Sequence, residues 1–544
     1  MMMRRKNQRP TWGVHPMARG TYSLHDGAIG IHAGAPLHAG DQCRSDSTVR
    51  CISAPPQLIL KTSSLQAQRI GPTLRPDPAR VLLRAFRPSS DDIARRIVAR
   101  VMALPEAAVA GLLDQVRQEF GHRHARLENF FLDRFAQVNI YLDPGATPSP
   151  PRQLLIGAHF SNEYAIEAAA LFNPSLVPHP DQSGVAAGEL RFIMSLRATG
   201  EGHISSVTFR EGIINRQNEI TLTPPAPFVM EPERVPNVAY AKGLFIHKLE
   251  EAGVKNDFCL RVLDKLHEDL TLKELHAVLL ASGLTDTSDM TATWAARGIL
   301  LLAESNFETD FAPDCKVSQR VLFPCAPSQS NGIEDARFVR FQNDDGTFTY
   351  YATYTAYDGK MILPQLLETP DFLHFEFSTL NGSAVANKGM ALFPRKVNGR
   401  YFMLSRQDDE NILLMASDNL HFWTGPKILL SPAHPWEFFK LGNCGSPLET
   451  EAGWLVMSHG VGALRQYCLG AFLLDLKDPT RVIGRLREPL LCPDEAEREG
   501  YVPNVVYSCG SLLHGSDVII PYAMSDSATS FATVPLDALL AAMK

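Results

Sequence analysis

GTFTYYATYTAYD (346–358) followed by MILPQLLE (361–368) has the form of two paired strands: a glycine-led turn, an apolar run, a polar end, and a second apolar run. The same order recurs in GELRFIMSLR (188–197), GRYFMLSR (399–406), GWLVMSH (453–459) and SDVIIPYAMSD (516–526). Their second runs are HISSVTFREGI, NILLMASDNLHFW, QYCLGAFLLDL and TSFATVPLDALL. Paired strands repeating at about 50–60 residues are what propeller blades look like in sequence. The chain is therefore expected to be mainly β, a five-bladed β-propeller. The gap after the first copy is longer. Residues 240–305, where apolar residues return to helical spacing, fill it as a helical insertion.

Outside the repeat the composition changes twice. Residues 1–60 are rich in Gly, Ser, His, Arg and Pro and read as a disordered leader. Residues 61–150 read as an α-helical N-terminal segment, because SSDDIARRIVARVMALPEAAVAGLLDQVRQEF (89–120) places Ser/Asp caps ahead of helically spaced apolar residues. Residues 151–544 form the propeller domain with its insertion. The two helical blocks flank the first strands and would be placed to pack on each other.

At 544 residues the chain exceeds one ordinary hydrophobic core. A net charge of −7 offers no basic surplus for phosphate backbones, so no nucleic-acid partner is expected. No stretch approaches the roughly 20 apolar residues of a membrane helix. The start MMMRRKNQRPTWGVHP leads into no apolar signal region, which points to a cytoplasmic location and no membrane partner. Nine cysteines without a C-x-x-C pair read as buried reduced thiols rather than a disulfide or zinc framework.

Five blades leave a narrow axial funnel, on which polar residues ending the innermost strands would converge. Arg197, Tyr354, Arg406, His459 and Asp526 occupy that phase. In SNGIEDARFVRF (330–341) two acids, Glu334 and Asp335, stand between an Asn-Gly turn and an apolar strand. Strand alternation puts Asp335 and Arg337 on one side, where the arginine would orient the carboxylate or hold a substrate oxygen. A surface Asp–Arg pair closing a turn accounts for the same residues equally well.

This segment resembles the Gly-x-Glu-Asp-Pro-Arg signature of family 130 glycoside hydrolases, the mannoside phosphorylases and β-mannosidases. Further resemblances follow in the family's order: FNPSLV (172–177), SLR (195–197), NKGMALFPRKVNGRYFMLSRQDD (387–409), KLGNCGSPLETEAGWLVMSHGV (440–461), EREGYVPNVVYSCG (497–510) and PYAMSDSATSFA (521–532). The resemblance implies a five-bladed propeller and an inverting reaction on a mannoside, with no metal or organic cofactor. It implies that Asp335 is the general acid, acting in the phosphorylases through a sugar hydroxyl. Arg197 and Asp526 match residues that grip the sugar, and Asn173, Arg337, Arg406 and Glu499 are placed with them as substrate-binding. Lys388 and Lys440 match phosphate-binding residues, and His459 lies at a strand end nearby. Two departures stand out: Ala336 replaces the signature proline, and Cys509 stands where many phosphorylases carry a phosphate-binding histidine.

Three functions fit this reading. The first is a phosphorylase cleaving a β-mannoside, with inorganic phosphate as co-substrate, to mannose 1-phosphate; Lys388, Lys440, Arg406 and His459 would supply positive charge for the dianion. The second is an inverting β-mannosidase using water, with Glu499 or Glu201 as candidate base. The third is a propeller that binds glycans without catalysis. An oligosaccharide is the expected substrate throughout, and homo-oligomer formation is left open.

Overall fold

Strand-forming runs dominate from residue 170 onward, and in the computed structural model they fold into antiparallel meanders. Residues 65–236, 239–251, 253–282 and 290–543 are described, so the leader reading of residues 1–60 lies outside them. The first meander comprises Ala170–Pro178, Leu190–Thr199, Ser205–Ile214 and Ile220–Leu222. The second is Gly332–Gln342, Phe348–Tyr357, Ile362–Thr369 and His374–Thr379. Ala391–Leu392, Tyr401–Ser405, Ile412–Ser417 and Lys427–Leu430 make the third. The fourth joins Lys440–Asn443, Gly453–Val461, Tyr467–Leu474 and Val482–Arg485. The last is built from Val506–Tyr507, Asp517–Met524, Ala528–Pro535 and the far N-terminal strand Gln68–Leu74.

The meanders pack face to face through a succession of cores. Phe209 and Ile193 of the first meet Phe338 and Ala352 of the second. Phe341 and Leu366 then meet Met403 and Met415. Phe393 and Leu404 meet Trp454 and Phe472, and Leu455 and Leu469 meet Ile520 and Tyr522. Finally Ile519 and Phe531 of the last meander pack on Phe192 and Met194 of the first. The central strands, such as Gly453–Val461 and Phe348–Tyr357, thus bury alternate residues on two neighbours, which explains their largely apolar sequence.

The N-terminal segment differs from the helical expectation by two strands. Gln68–Leu74 pairs with Ala528–Pro535, and Val81–Ala85 with Ser161–Ala165. QRIGPTL shows no apolar alternation because its register shifts between Ile70 and Leu74, and Gly71 there has φ +72°. Helices Asp91–Met102, Glu106–Phe120, Leu127–Val138 and Pro150–His159 follow, the first capped by the Ser90 hydroxyl accepting from the Ile93 N–H at 3.3 Å. The insertion holds helices Lys242–Glu251, Asp257–Leu263, Leu272–Ala281 and Met290–Glu304. Among the described residues the two blocks do not share a core. One centres on Val98, Val109 and Phe160, the other on Leu249, Leu275 and Ile299, because each amphipathic set closes on itself.

A buried ion cluster fastens the N-terminal segment to the first meander. Glu167 is fully buried and accepts from Arg80 Nε at 2.8 Å and Arg210 Nη2 at 2.7 Å. Arg80 also donates to the Ser318 carbonyl at 2.6 Å. Among the described residues no helix is long and apolar enough to cross a membrane.

Candidate active site

Two β-bulges build the centre. In the first meander the register slips between Phe172 and Ser175, and in the second between Glu334 and Arg337. Each inserts one extra residue, and the inserted backbone is left-handed: Asn173 has φ +50° and Asp335 φ +49°. Asn and Asp tolerate this conformation better than other side-chain-bearing residues, which is why these types stand there. The bulges turn the two side chains toward each other, and Asn173 Nδ2 donates to Asp335 Oδ1 at 2.7 Å.

Arg197, at the end of the neighbouring strand, spans both acids. Its Nη1 lies 3.3 Å from Asp335 Oδ1, its Nη2 2.8 Å from Glu334 Oε1, and its Nε donates to Ser205 Oγ at 2.9 Å. Lys388 Nζ donates to the other Glu334 oxygen at 2.6 Å. The Lys388 loop is pinned by Asn387 Nδ2 on the Arg406 carbonyl at 3.1 Å and by Asn443 Nδ2 on the Gly389 carbonyl at 2.6 Å. Arg337 donates to the Asp335 carbonyl at 3.3 Å and to the Tyr507 hydroxyl at 2.6 Å.

Tyr507 leads to a second, cationic group. Its ring lies edge-on to His459, with centroids 4.9 Å apart. His459 Nε2 lies 3.4 Å from Arg406 Nη1, and Asp409 bridges Arg406 and Lys440. Arg406 and Lys440 side chains are only 12% and 13% exposed, so their charges are partly shielded from water. His459 is driven well below its usual range by burial, then by Arg406, Arg337 and Lys440. It is neutral, and so adds no positive charge beside these cations.

Asp526 arrives by a different device. Ser525 and Asp526 are both left-handed, at φ +46° and +49°, and the Ser527 N–H closes on the Met524 carbonyl at 3.0 Å. This is a type I′ turn within the three-residue connection between Asp517–Met524 and Ala528–Pro535. Burial pushes the Asp526 carboxyl up to about 6, Arg197 opposes this, and Asp335 adds to it. Asp335 moves the other way. Burial would raise it, but Arg197, Arg337, Lys388 and the Asn173 hydrogen bond together hold it below the ordinary carboxylate range. Three buried polar atoms of this centre lack a hydrogen-bond partner among the described residues: Asn173 Oδ1, Arg337 Nε and Arg406 Nε. Unmet capacity in a shielded site is what a polar ligand would fill.

The structure thus brings together Asp335, Asn173, Arg197, Arg337, Lys388, Arg406, Lys440 and His459 through direct contacts or one shared neighbour, with Asp526 in their field. Glu499 is different: it is exposed, on the wall of a cleft with Arg69, Asp494 and Tyr522. Glu201 is also exposed, in a hairpin loop. Tyr354 leaves the expected set. It is buried among Phe377 and Ala352, with its hydroxyl between Gln365 and Gln329, because strand alternation turns it into the core between meanders. Sequence reasoning missed Tyr507 and Asp409 and gave Glu334 no role. Tyr507 stands two residues before Cys509, and Glu334 beside Asp335, so both were within the quoted motifs. Among the described residues no group of three or more His, Cys, Asp or Glu is placed to hold a metal.

A family profile described as β-1,4-mannooligosaccharide phosphorylase matches residues 315–544. The 1,2-β-oligomannan phosphorylase of Thermoanaerobacter sp. (strain X514) is 35% identical over 210 residues, covering 38% of this chain and 69% of that protein. The β-1,2-mannobiose phosphorylase of Listeria innocua is 31% identical over 227 residues, 40% of this chain and 62% of the relative. A solved structure of the Listeria innocua enzyme with β-1,2-mannobiose aligns with a TM-score of 0.42 at 20% identity, over 69% of this chain and 92% of that one. The chain is an enzyme of the class that cleaves glycosidic bonds. It belongs to glycoside hydrolase family 130.

Proposed function

We propose that this chain is a five-bladed β-propeller phosphorylase that cleaves β-mannosidic bonds with inversion, using inorganic phosphate and releasing mannose 1-phosphate. The cyclic succession of cores, with the last meander packed on the first, supports the propeller. The observation that carries the phosphorolytic choice is the shielded pair Arg406 and Lys440, about one residue layer from the Asp335 centre through Tyr507 and His459. Relatives named as phosphorylases of β-1,2- and β-1,4-linked mannosides support the same substrate class.

In this reading a phosphate oxygen forms the new bond to the anomeric carbon from the face opposite the leaving sugar. The bond from that carbon to the leaving oxygen breaks with its electron pair, and the oxygen takes up a proton released by Asp335 through a sugar hydroxyl. Asp335 is ionised in the free protein, so it must gain that proton as substrates bind. An incoming phosphate offsets Lys388 and its neighbours, and a sugar that engages Arg197 weakens the arginine's hold; both changes move the Asp335 carboxyl upward. Arg197, Asn173 and Asp526 orient the reacting sugar, and Arg337 fixes the bulge that aims Asp335.

The deciding experiment incubates the full chain with β-1,2- and β-1,4-linked manno-oligosaccharides, with and without inorganic phosphate. Mannose 1-phosphate formed only with phosphate is expected. Free mannose at equal rates in both would replace phosphorolysis by hydrolysis.

The raised Asp526 carboxyl gives a pH test. As an ionised acceptor for sugar hydroxyls it is active above its own titration, so kcat/KM should fall as pH drops below about 6. Asp526→Asn should remove that acid limb and lower the plateau. A decline on the alkaline side of the same pH, abolished by the same variant, would instead make the protonated form the working one.

A further inference from the structure

We propose that Asp409 is a built-in anion: its carboxylate occupies, in the free protein, the cationic seat that phosphate must enter, and so sets the affinity for phosphate. This rests on the phosphorolytic reading and deepens it. Asp409 stands in the turn between Tyr401–Ser405 and Ile412–Ser417, with left-handed backbone at φ +58°. Its two oxygens lie 3.2 and 3.1 Å from Lys440 Nζ, and Oδ1 lies 3.4 Å from Arg406 Nη2. One carboxylate therefore bridges both cations of the group.

The partners are unequal in a way that suits exchange. The Asp409 side chain is 54% exposed, whereas Arg406 and Lys440 are held in the protein wall. The turn does not depend on Asp409. Its neighbour Asp408 accepts from the Glu410 and Asn411 N–H groups at 3.0 and 2.9 Å and from Asn411 Nδ2 at 2.8 Å. Asp409 is thus free to swing to solvent while the cations stay. It also fills the seat incompletely, since the buried Arg406 Nε has no partner among the described residues. A tetrahedral anion with four oxygens has the valences to meet Lys440, Arg406 Nη2 and Arg406 Nε together, which a carboxylate holding two cations does not. His459, neutral and 3.4 Å from Arg406 Nη1, holds the guanidinium without competing charge.

Entry of phosphate then costs the Asp409 ion pairs and brings two like charges close. Neutralising Asp409 removes both terms, so Asp409→Asn should lower the dissociation constant for inorganic phosphate by about 3- to 30-fold, the range expected for a half-exposed pair plus one near repulsion. Asparagine suits the left-handed position, so the fold is preserved. Asp409→Glu restores the charge and should return the affinity toward wild type. The test is titration calorimetry of full-length wild type and both variants with inorganic phosphate, run beside phosphate KM in β-1,2-mannobiose cleavage. Tighter binding in Asp409→Asn alone supports the proposal. Phosphate-dependent turnover in the wild type with unchanged or weaker binding in Asp409→Asn overturns it and leaves phosphorolysis standing. Turnover lost in Asp409→Asn at saturating phosphate, with unchanged affinity, also overturns it, since Asp409 would then act in the chemistry. Phosphate-independent turnover in the wild type, with no phosphate binding by any of the three proteins, would take down the phosphorolytic reading and this proposal together.

Discussion

Asp335→Asn is expected to lower kcat by about 10²–10⁴-fold, the usual weight of a positioned acid–base group. The substitution is chosen for the backbone as much as for the chemistry. Position 335 sits at φ +49° in a bulge, where asparagine is tolerated and alanine would be strained. The amide still accepts through one oxygen from Asn173 Nδ2 and Arg197, so the contact geometry survives while the transferable proton is lost. Steady-state rates on a β-mannoside, with unfolding compared between variant and wild type, separate the two effects. Activity within a few-fold of wild type, in a protein equally stable, would remove Asp335 from the chemistry and shift attention to Asp526.

Glu167→Ala is expected to destabilise the protein by about 3–5 kcal/mol, the cost of breaking a buried ion pair by removing one partner. Arg80 and Arg210 both converge on the same Glu167 oxygen, and neither has an exposed side chain. Without the carboxylate two guanidiniums remain buried and repel each other. Burial and the charge of Arg210 already lower the Arg80 pKa despite Glu167. Arg80 leads out of the N-terminal segment and Arg210 belongs to the first meander, so the loss should loosen that junction before the site itself. Urea unfolding of the full chain measures it. A change under about 1 kcal/mol would mean water reaches the cluster and replaces the carboxylate.

The repeat was readable because its signal is local and periodic. Runs such as GWLVMSH and GELRFIMSLR bury both faces of their central residues against neighbouring meanders, so those centres stay apolar. The strand Gln68–Leu74 was not readable. Its pairing with Ala528–Pro535 joins the two ends of the described chain, and a bulge with Pro72 erases the alternation that would mark it. Tyr354 failed for a related reason. A polar atom at a strand end has two faces to choose from, and only packing turned this one into the core, where Gln365 and Gln329 satisfy it.

The sequence by itself determined the mainly β character, the two helical blocks, and the types of residue at the bulges and the hairpin turn, where left-handed backbone selects Asn and Asp. It also carried the acids of GIED and the cations Lys388, Arg406 and Lys440. Only the tertiary structure decided how these charges pair. Arg197 grips Glu334 and Asp335 from 137 and 138 residues away, Lys388 is already taken by Glu334, and Asp409 lies across Arg406 and Lys440. Charge pairing depends on distances and shielding between strands remote in sequence, and those are fixed by how the meanders stack, not by any local pattern.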